Sequence, residues 1–194
     1  MNINELFDKK PIFETNRLVI RKLEIQDAED YFYVLSDLET IKHTRWELFQ
    51  SIEDSTLYLK NLEQKYQLRQ AFHWGIVDKD SNKIIGRIAF VNVDVDNDKT
   101  EIGYVVSREY WNKGIVFEAA RELIKFGFEE LGLNRIEARC NEDNVGSERI
   151  MQKIGMEFEG LLREQLKMKG EYKTQKFYSI IRSDFVGSVP RSGT

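Results

Sequence analysis

Three strand-like segments stand almost back to back between Ala71 and Val106, and they constrain the fold more than any other feature of the chain. AFHWGIV (Ala71–Val77), KIIGRIAFVNV (Lys83–Val93) and TEIGYVV (Thr100–Val106) are rich in β-branched and aromatic residues. Only the polar turns DKDSN and DVDNDK separate them. Connections that short cannot hold a crossover, so the three segments predict an antiparallel meander.

The flanks supply the remaining elements. RLVIRKL (Arg17–Leu23) alternates as a strand, Asp27–Leu35 reads as a short helix, and Ile52–Gln67 as a longer one. A helix from about Gly114 to Leu131 places Val116, Ala120, Leu123, Gly127 and Leu131 at helical spacing, with Gly132 as its stop. NRIEARC (Asn134–Cys140) is a further strand. Asn144 then caps a helix carrying Ile150, Met151 and Ile154, and two strands close the chain around Lys169-Gly170. This mixed order predicts an α+β fold and not a doubly wound parallel one. The 194 residues suffice for one core, expected over residues 1–185. The Gly/Ser/Pro-rich tail 186–194 reads as disordered and has the composition of a cloning remnant.

The totals exclude several function classes. A net charge of −4 argues against a broad nucleic-acid surface. No apolar run approaches the roughly 20 residues that span a bilayer, and MNINELFDKK lacks a secretory h-region. The lone Cys140 rules out an internal disulfide framework. The expected compartment is the cytoplasm, with no membrane partner. His43 and His73 have no companion ligands at metal-binding spacing, so no metal site is expected.

The stretch EYWNKGIVFEAARE (Glu109–Glu122) opens a helix on Lys113-Gly114 with no Ser, Thr or Asp to cap it. Either Gly114 simply relieves a surface turn, or the free N–H groups receive an anion such as a pyrophosphate. Neither G-x-G-x-x-G nor GxxxxGK[ST] is present, so a dinucleotide fold and a P-loop are poorly supported.

Three blocks then bring a family into view: ETNRLVIRKLEIQDAED, TEIGYVVSREYWNKGIVFEAARELIKFGFEELGLNRIEARCNEDNVGSERIMQKIGMEFEG and GEYKTQKFYSIIRSDF. Over about Thr15 to Phe185 the chain resembles the GNAT superfamily of N-acetyltransferases, and within it the ribosomal-protein alanine N-acetyltransferases. The resemblance implies a mostly antiparallel central sheet of about seven strands flanked by about four helices, splayed at the cofactor site. It implies acetyl-CoA as acetyl donor. The backbone of Tyr104, Val105 and Val106 would pair with the pantetheine arm. The N–H groups of Trp111, Asn112, Lys113, Gly114, Ile115 and Val116 would hold the pyrophosphate. The family usually has glycine at Asn112, alanine at Val116 and aspartate at Thr174.

The resemblance also places Asn144 and Ser147 against the cofactor, Ser147 as general acid toward the departing thiolate. The alternative reading of the pair is a plain helix cap. Glu101 is the candidate base, since an ammonium must lose a proton before it attacks; it could equally be a solvated strand-end charge. Glu159 and Glu164 are weaker candidates. Cys140 reads as a small buried residue rather than a nucleophile. Tyr178 matches a family tyrosine that lines the site or packs. Trp46 and Trp74 wall an acceptor groove; the alternative is that Trp46 and Phe49 belong to the core.

Three functions follow from these readings. The first is direct acetyl transfer to a primary amine, such as the α-amine of a protein. The second is transfer to a small amine: a polyamine, an amino acid or an aminoglycoside. The third is a non-catalytic acyl-CoA-binding module on the same fold. A homodimer is compatible with all three.

Overall fold

The computed structural model describes residues 5–188. Eight strands form one sheet in the order β1-β2-β3-β4-β5-β6-β8-β7. The expected meander is β3 (Ala71–Asp78), β4 (Lys83–Asp94) and β5 (Lys99–Val106). On one side of it lie β1 (Phe13–Glu14) and β2 (Leu18–Lys22); on the other lie β6 (Arg135–Asn141), β8 (Glu171–Ile181) and β7 (Glu157–Met168). Every neighbouring pair is antiparallel except β5–β6, which is parallel because helix α5 (Ile115–Glu129) carries the chain back between them.

Strand alternation divides the core in two. Phe72, Trp74, Ile76, Ile88, Phe90 and Ile102 join the buried face of α5 and of α6 (Val145–Lys153). Val77, Ile84 and Val105 join α2 (Ala28–Leu35) and α4 (Ile52–Gln67). Helix α4 starts at a capping box between Ser51 and Asp54. Its buried row is Ser55, Leu59, Leu62 and Tyr66, whereas Leu57 is exposed.

The strand and helix count exceeds the expectation only through short pieces: the two-residue β1, the helices α1 (Glu5–Lys9) and α3 (Leu38–Ile41), and α7 (Arg182–Ser188). None of them is long enough to repeat a hydrophobic pattern over several periods. Helix α7 takes in residues 186–188, read above as the start of a disordered tail; residues 189–194 lie outside the described part.

Candidate active site

The parallel pairing of β5 with β6 lasts for three residue pairs: Lys99 with Arg135, Thr100 with Ile136, Glu101 with Glu137. Beyond them β5 stays on β4 as far as Val106, while β6 stays on β8 as far as Asn141. The two strands therefore diverge, and among the described residues Ile102–Val106 has no strand partner on that edge. The phase of this edge follows from one bond, Ser107 N–H to Ile85 C=O at 2.9 Å. With Val106 opposite Gly86, that bond makes Val105–Arg87 and Gly103–Ala89 the mutually bonded pairs. Tyr104 and Val106 thus turn their peptide groups into the gap. Val105 turns its own toward β4, which corrects the expectation that all three residues present backbone to a ligand. The Trp111 indole N–H donates to the Val106 carbonyl at 3.0 Å and ties the end of β5 to the next turn.

That turn runs from Arg108 to Gly114. Asn112 (φ 58°) and Gly114 (φ 75°) are both left-handed. Asparagine tolerates this region better than most side chains, which explains how it stands where a glycine was expected. Gly114 occupies the N-cap of α5, and among the described residues no side chain caps the helix. The first-turn N–H groups of a 15-residue helix therefore point outward at the positive end of its dipole. Ile115 and Val116 bury their side chains in the core, so only their backbone belongs to the turn. Arg17 fixes the turn from β2's side. It donates to the Lys113 carbonyl at 2.9 Å and through Nε to Glu118 at 2.8 Å. The first-turn carboxylate of Glu118 is thereby neutralised, and Arg17 in turn joins the site without any local motif to announce it.

Helix α6 closes the opposite wall. The Asn144 side chain accepts from Ser147 N–H at 3.1 Å, so the cap anticipated from sequence is present. The Ser147 hydroxyl lies 2.9 Å from the Tyr104 hydroxyl, which also donates to the Ser147 carbonyl at 3.2 Å. Burial pushes the Tyr104 phenol well above the usual tyrosine range, so it stays protonated. Cys140, buried beside this pair, has its thiol pushed up to about 11 by burial, with Glu148 adding to the effect. It is a poor nucleophile at neutral pH. Tyr178 is buried under α6 and donates to Glu148 at 2.9 Å; Lys176 meets the same carboxylate at 2.7 Å.

On the opposite sheet face Glu101 is held by three donors. Arg139 Nε reaches Oε1 at 2.9 Å, Arg139 Nη2 reaches Oε2 at 2.5 Å, and Asn92 Nδ2 reaches Oε2 at 2.8 Å. It is not a free strand-end charge. Glu159 is pulled down to about 2 by hydrogen bonds from Arg135 and Ser179, and is too weak a base for amine chemistry. Glu164 sits exposed on the β7 edge with its N–H on the Thr174 hydroxyl at 3.3 Å.

Trp74 requires a correction. It is fully buried among Phe13, Phe72 and Phe90, with its indole N–H on the Pro11 carbonyl at 3.0 Å, and so walls no groove. Trp46 remains half-buried against Tyr58 and Arg87. His43 contacts Asp143 at 3.5 Å, and His73 is buried on Arg87. Among the described residues no group of three or more His, Cys, Asp or Glu is placed to hold a metal ion, and no helix is long and apolar enough to cross a membrane.

Residues 17–157 match the acetyltransferase (GNAT) domain family. The chain is 34% identical over 172 residues to the uncharacterized N-acetyltransferase YoaA of Bacillus subtilis, covering 89% of this chain and 97% of that one. It is 25% identical to the ribosomal protein uS5-alanine N-acetyltransferase of Escherichia coli, covering 88% and 91%. A GNAT-family acetyltransferase from Bacillus anthracis superposes with a TM-score of 0.78 at 31% identity, covering 89% and 99%. The microcin C7 self-immunity acetyltransferase MccE, solved with acetyl-CoA and AMP, superposes with a TM-score of 0.79 at 25% identity, covering 86% and 93%. With a splayed parallel pair leading into an uncapped helix, and with these relatives, the chain belongs to the GNAT family of acetyltransferases.

Proposed function

We propose that this protein transfers an acetyl group from acetyl-CoA directly to a primary amine, within a single domain spanning residues 1–185, in the cytoplasm. The observation that carries the reading is the continuity of the open β5 edge with the uncapped α5 turn. Peptide groups of Tyr104 and Val106 face the gap, and outward N–H groups follow at Gly114–Val116. An extended amide-bearing arm ending in a pyrophosphate fits that succession. When bound, acetyl-CoA supplies an activated thioester carbonyl.

The chain's own groups do the rest. Tyr104 and Val106 N–H groups orient the arm and polarise an acyl oxygen in the gap. When the Tyr104 phenol donates to the Ser147 hydroxyl oxygen instead of the Ser147 carbonyl, the Ser147 proton is free for the leaving sulfur. Glu101 has about four lone-pair positions, of which three are filled. The remaining one, on Oε1, accepts the proton of the incoming amine directly or through a water. A protein α-amine is the first acceptor class, by analogy with the uS5-alanine enzyme.

Thiol release from acetyl-CoA against a panel of amines and short peptides, with calorimetric acetyl-CoA binding alongside, tests the reading. Turnover is expected on one acceptor class, with Glu101→Gln lowering turnover and sparing acetyl-CoA binding. Absence of acetyl-CoA binding overturns it. Binding without turnover on any amine points to a non-catalytic module.

A further inference from the structure

The sheet face that carries Glu101 forms a grid of three strands. Glu101, Val91 and Ala71 make one row; Gly103, Ala89 and His73 the next; Val105, Arg87 and Gly75 the third. The middle row is a floor of two small residues, Gly103 and Ala89, that ends at His73. A Cβ placed on Gly103 meets nothing within 4 Å, so the space above it is open. Glu101 stands at one corner of this grid and Arg87 in the middle of the far row, with Cα atoms roughly 14 Å apart from four residues of rise and one strand spacing.

The two positions differ in charge balance. Glu101 is matched by Arg139. Arg87 is only 7% exposed, and among the described residues no carboxylate pairs with it. Its Nη1 meets His73 Nδ1 at 2.7 Å, and the rings of Trp46 and Tyr58 face the guanidinium at 4.8 and 5.9 Å. Arg87 must be the donor to His73, so the neutral imidazole carries its hydrogen on Nε2. Burial and the adjacent guanidinium both hold His73 in that neutral form. Among the described residues, four buried polar atoms have no partner at hydrogen-bonding geometry: Arg87 Nε, His73 Nε2, Tyr31 Oη and Ser55 Oγ; the Tyr58 hydroxyl lies beside Tyr31 and Arg87. Two of these are obligatory donors and two are hydroxyls able to donate. An unbalanced buried cation with surplus donors is costly unless an anion completes it.

We propose that Arg87 and His73 form an anion subsite of the acceptor pocket, which selects small acceptors carrying a carboxylate in the same molecule as the reacting amine. The inference rests on the acetyltransferase reading and replaces its first acceptor class, the protein α-amine, with a small amine that carries a carboxylate. The amine lies toward Glu101 and the β5–β6 gap, and the carboxylate toward Arg87. Trp46, on the segment 42–51 without regular secondary structure, is the wall that moves to admit it.

The test pairs kinetics with binding. Free amino acids are compared as acceptors with their carboxamides, their decarboxylated amines, and an amidated peptide bearing an acidic side chain. The free carboxylates are expected to exceed the carboxamides in kcat/KM by on the order of tenfold to a hundredfold, through KM. Arg87→Met should bring that ratio near unity without changing acetyl-CoA affinity, and Arg87→Lys should retain part of it. Separately, acetate and acetamide are titrated into the full chain at constant ionic strength, read by tryptophan fluorescence with Trp46→Phe as control. Saturable acetate binding, lost in Arg87→Met and absent for acetamide, supports the subsite. No saturable acetate binding to the unmodified protein overturns it, whatever acetyl-CoA does. Failure of acetyl-CoA to bind overturns the enzyme reading and leaves the acetate result standing. An Arg87-dependent preference seen only with the peptide overturns the small-acceptor assignment.

Discussion

The 2.9 Å contact between the Tyr104 and Ser147 hydroxyls makes a double-mutant cycle the most incisive test of the proposed proton route. The phenol has one proton and two acceptors in reach, the Ser147 hydroxyl and carbonyl oxygens. Only when it donates to the hydroxyl is the Ser147 proton released toward the gap. Ser147→Ala removes the proposed acid and should lower turnover by roughly 10²- to 10⁴-fold, the usual range for a positioned acid. Tyr104→Phe removes one orienting hydrogen bond, about 1 kcal/mol, and should cost roughly fivefold in an otherwise intact site. In the Ser147→Ala background the same Tyr104→Phe change should have no further effect, because nothing is left to orient. Each single change also loses about 1 kcal/mol of stability, a shift of roughly 2–4 °C in Tm for a chain of this size. Turnover by thiol release at saturating acetyl-CoA, with thermal melts of all four proteins, reads both quantities. If the two effects multiply in the double variant, the hydroxyls act independently and the relay is wrong. If Ser147→Ala stays within about twofold of the unmodified protein, Ser147 is only a cap partner.

Other outcomes follow from the same geometry. A Cβ on Gly86 would sit 2.5 Å from the Val105 carbonyl, so Gly86→Ala should destabilise the fold by about 1–3 kcal/mol in denaturant titrations; an unchanged midpoint would show that β4 and β5 separate freely. Glu159 drops from an ordinary 4.5 to about 2 in the folded protein, so its contribution is present above pH 4.5 and lost as pH falls toward 2. Unfolding free energy measured across that window should fall less steeply in Glu159→Gln. With the Cys140 thiol raised to about 11, alkylation at pH 8 should be slow and Cys140→Ala should keep its turnover; a rapid acyl-enzyme burst lost in that variant would reinstate a covalent route.

The order of the long elements along the chain was legible because each repeats its pattern over several turns or alternations, as α4 and α5 do. The uncapped α5 turn and the Asn144 cap were legible because they are local. Side-chain partners across strands were not. Glu101 meets Arg139 only because β5 and β6 pair in one register, and His73 meets Arg87 only because of the β3–β4 register. Trp74 was misplaced for a related reason: AFHWGIV is apolar on both faces, so alternation cannot say which face looks at α5. The same period-two ambiguity assigned Val105 to the gap, when one bond from Ser107 sets it the other way.

The three-pair contact between β5 and β6 has a mechanical consequence. The sheet is two plates, β1–β5 and β6–β8–β7, joined by a narrow neck and bridged by α5. Bending at that neck changes the width of the gap while disturbing few ladder bonds. A molecule lying along β5 acts as an absent strand of the sheet: it splints the plates and stiffens the hinge. Occupancy of the cofactor groove should therefore be felt as rigidity at β7, at the far edge of the second plate.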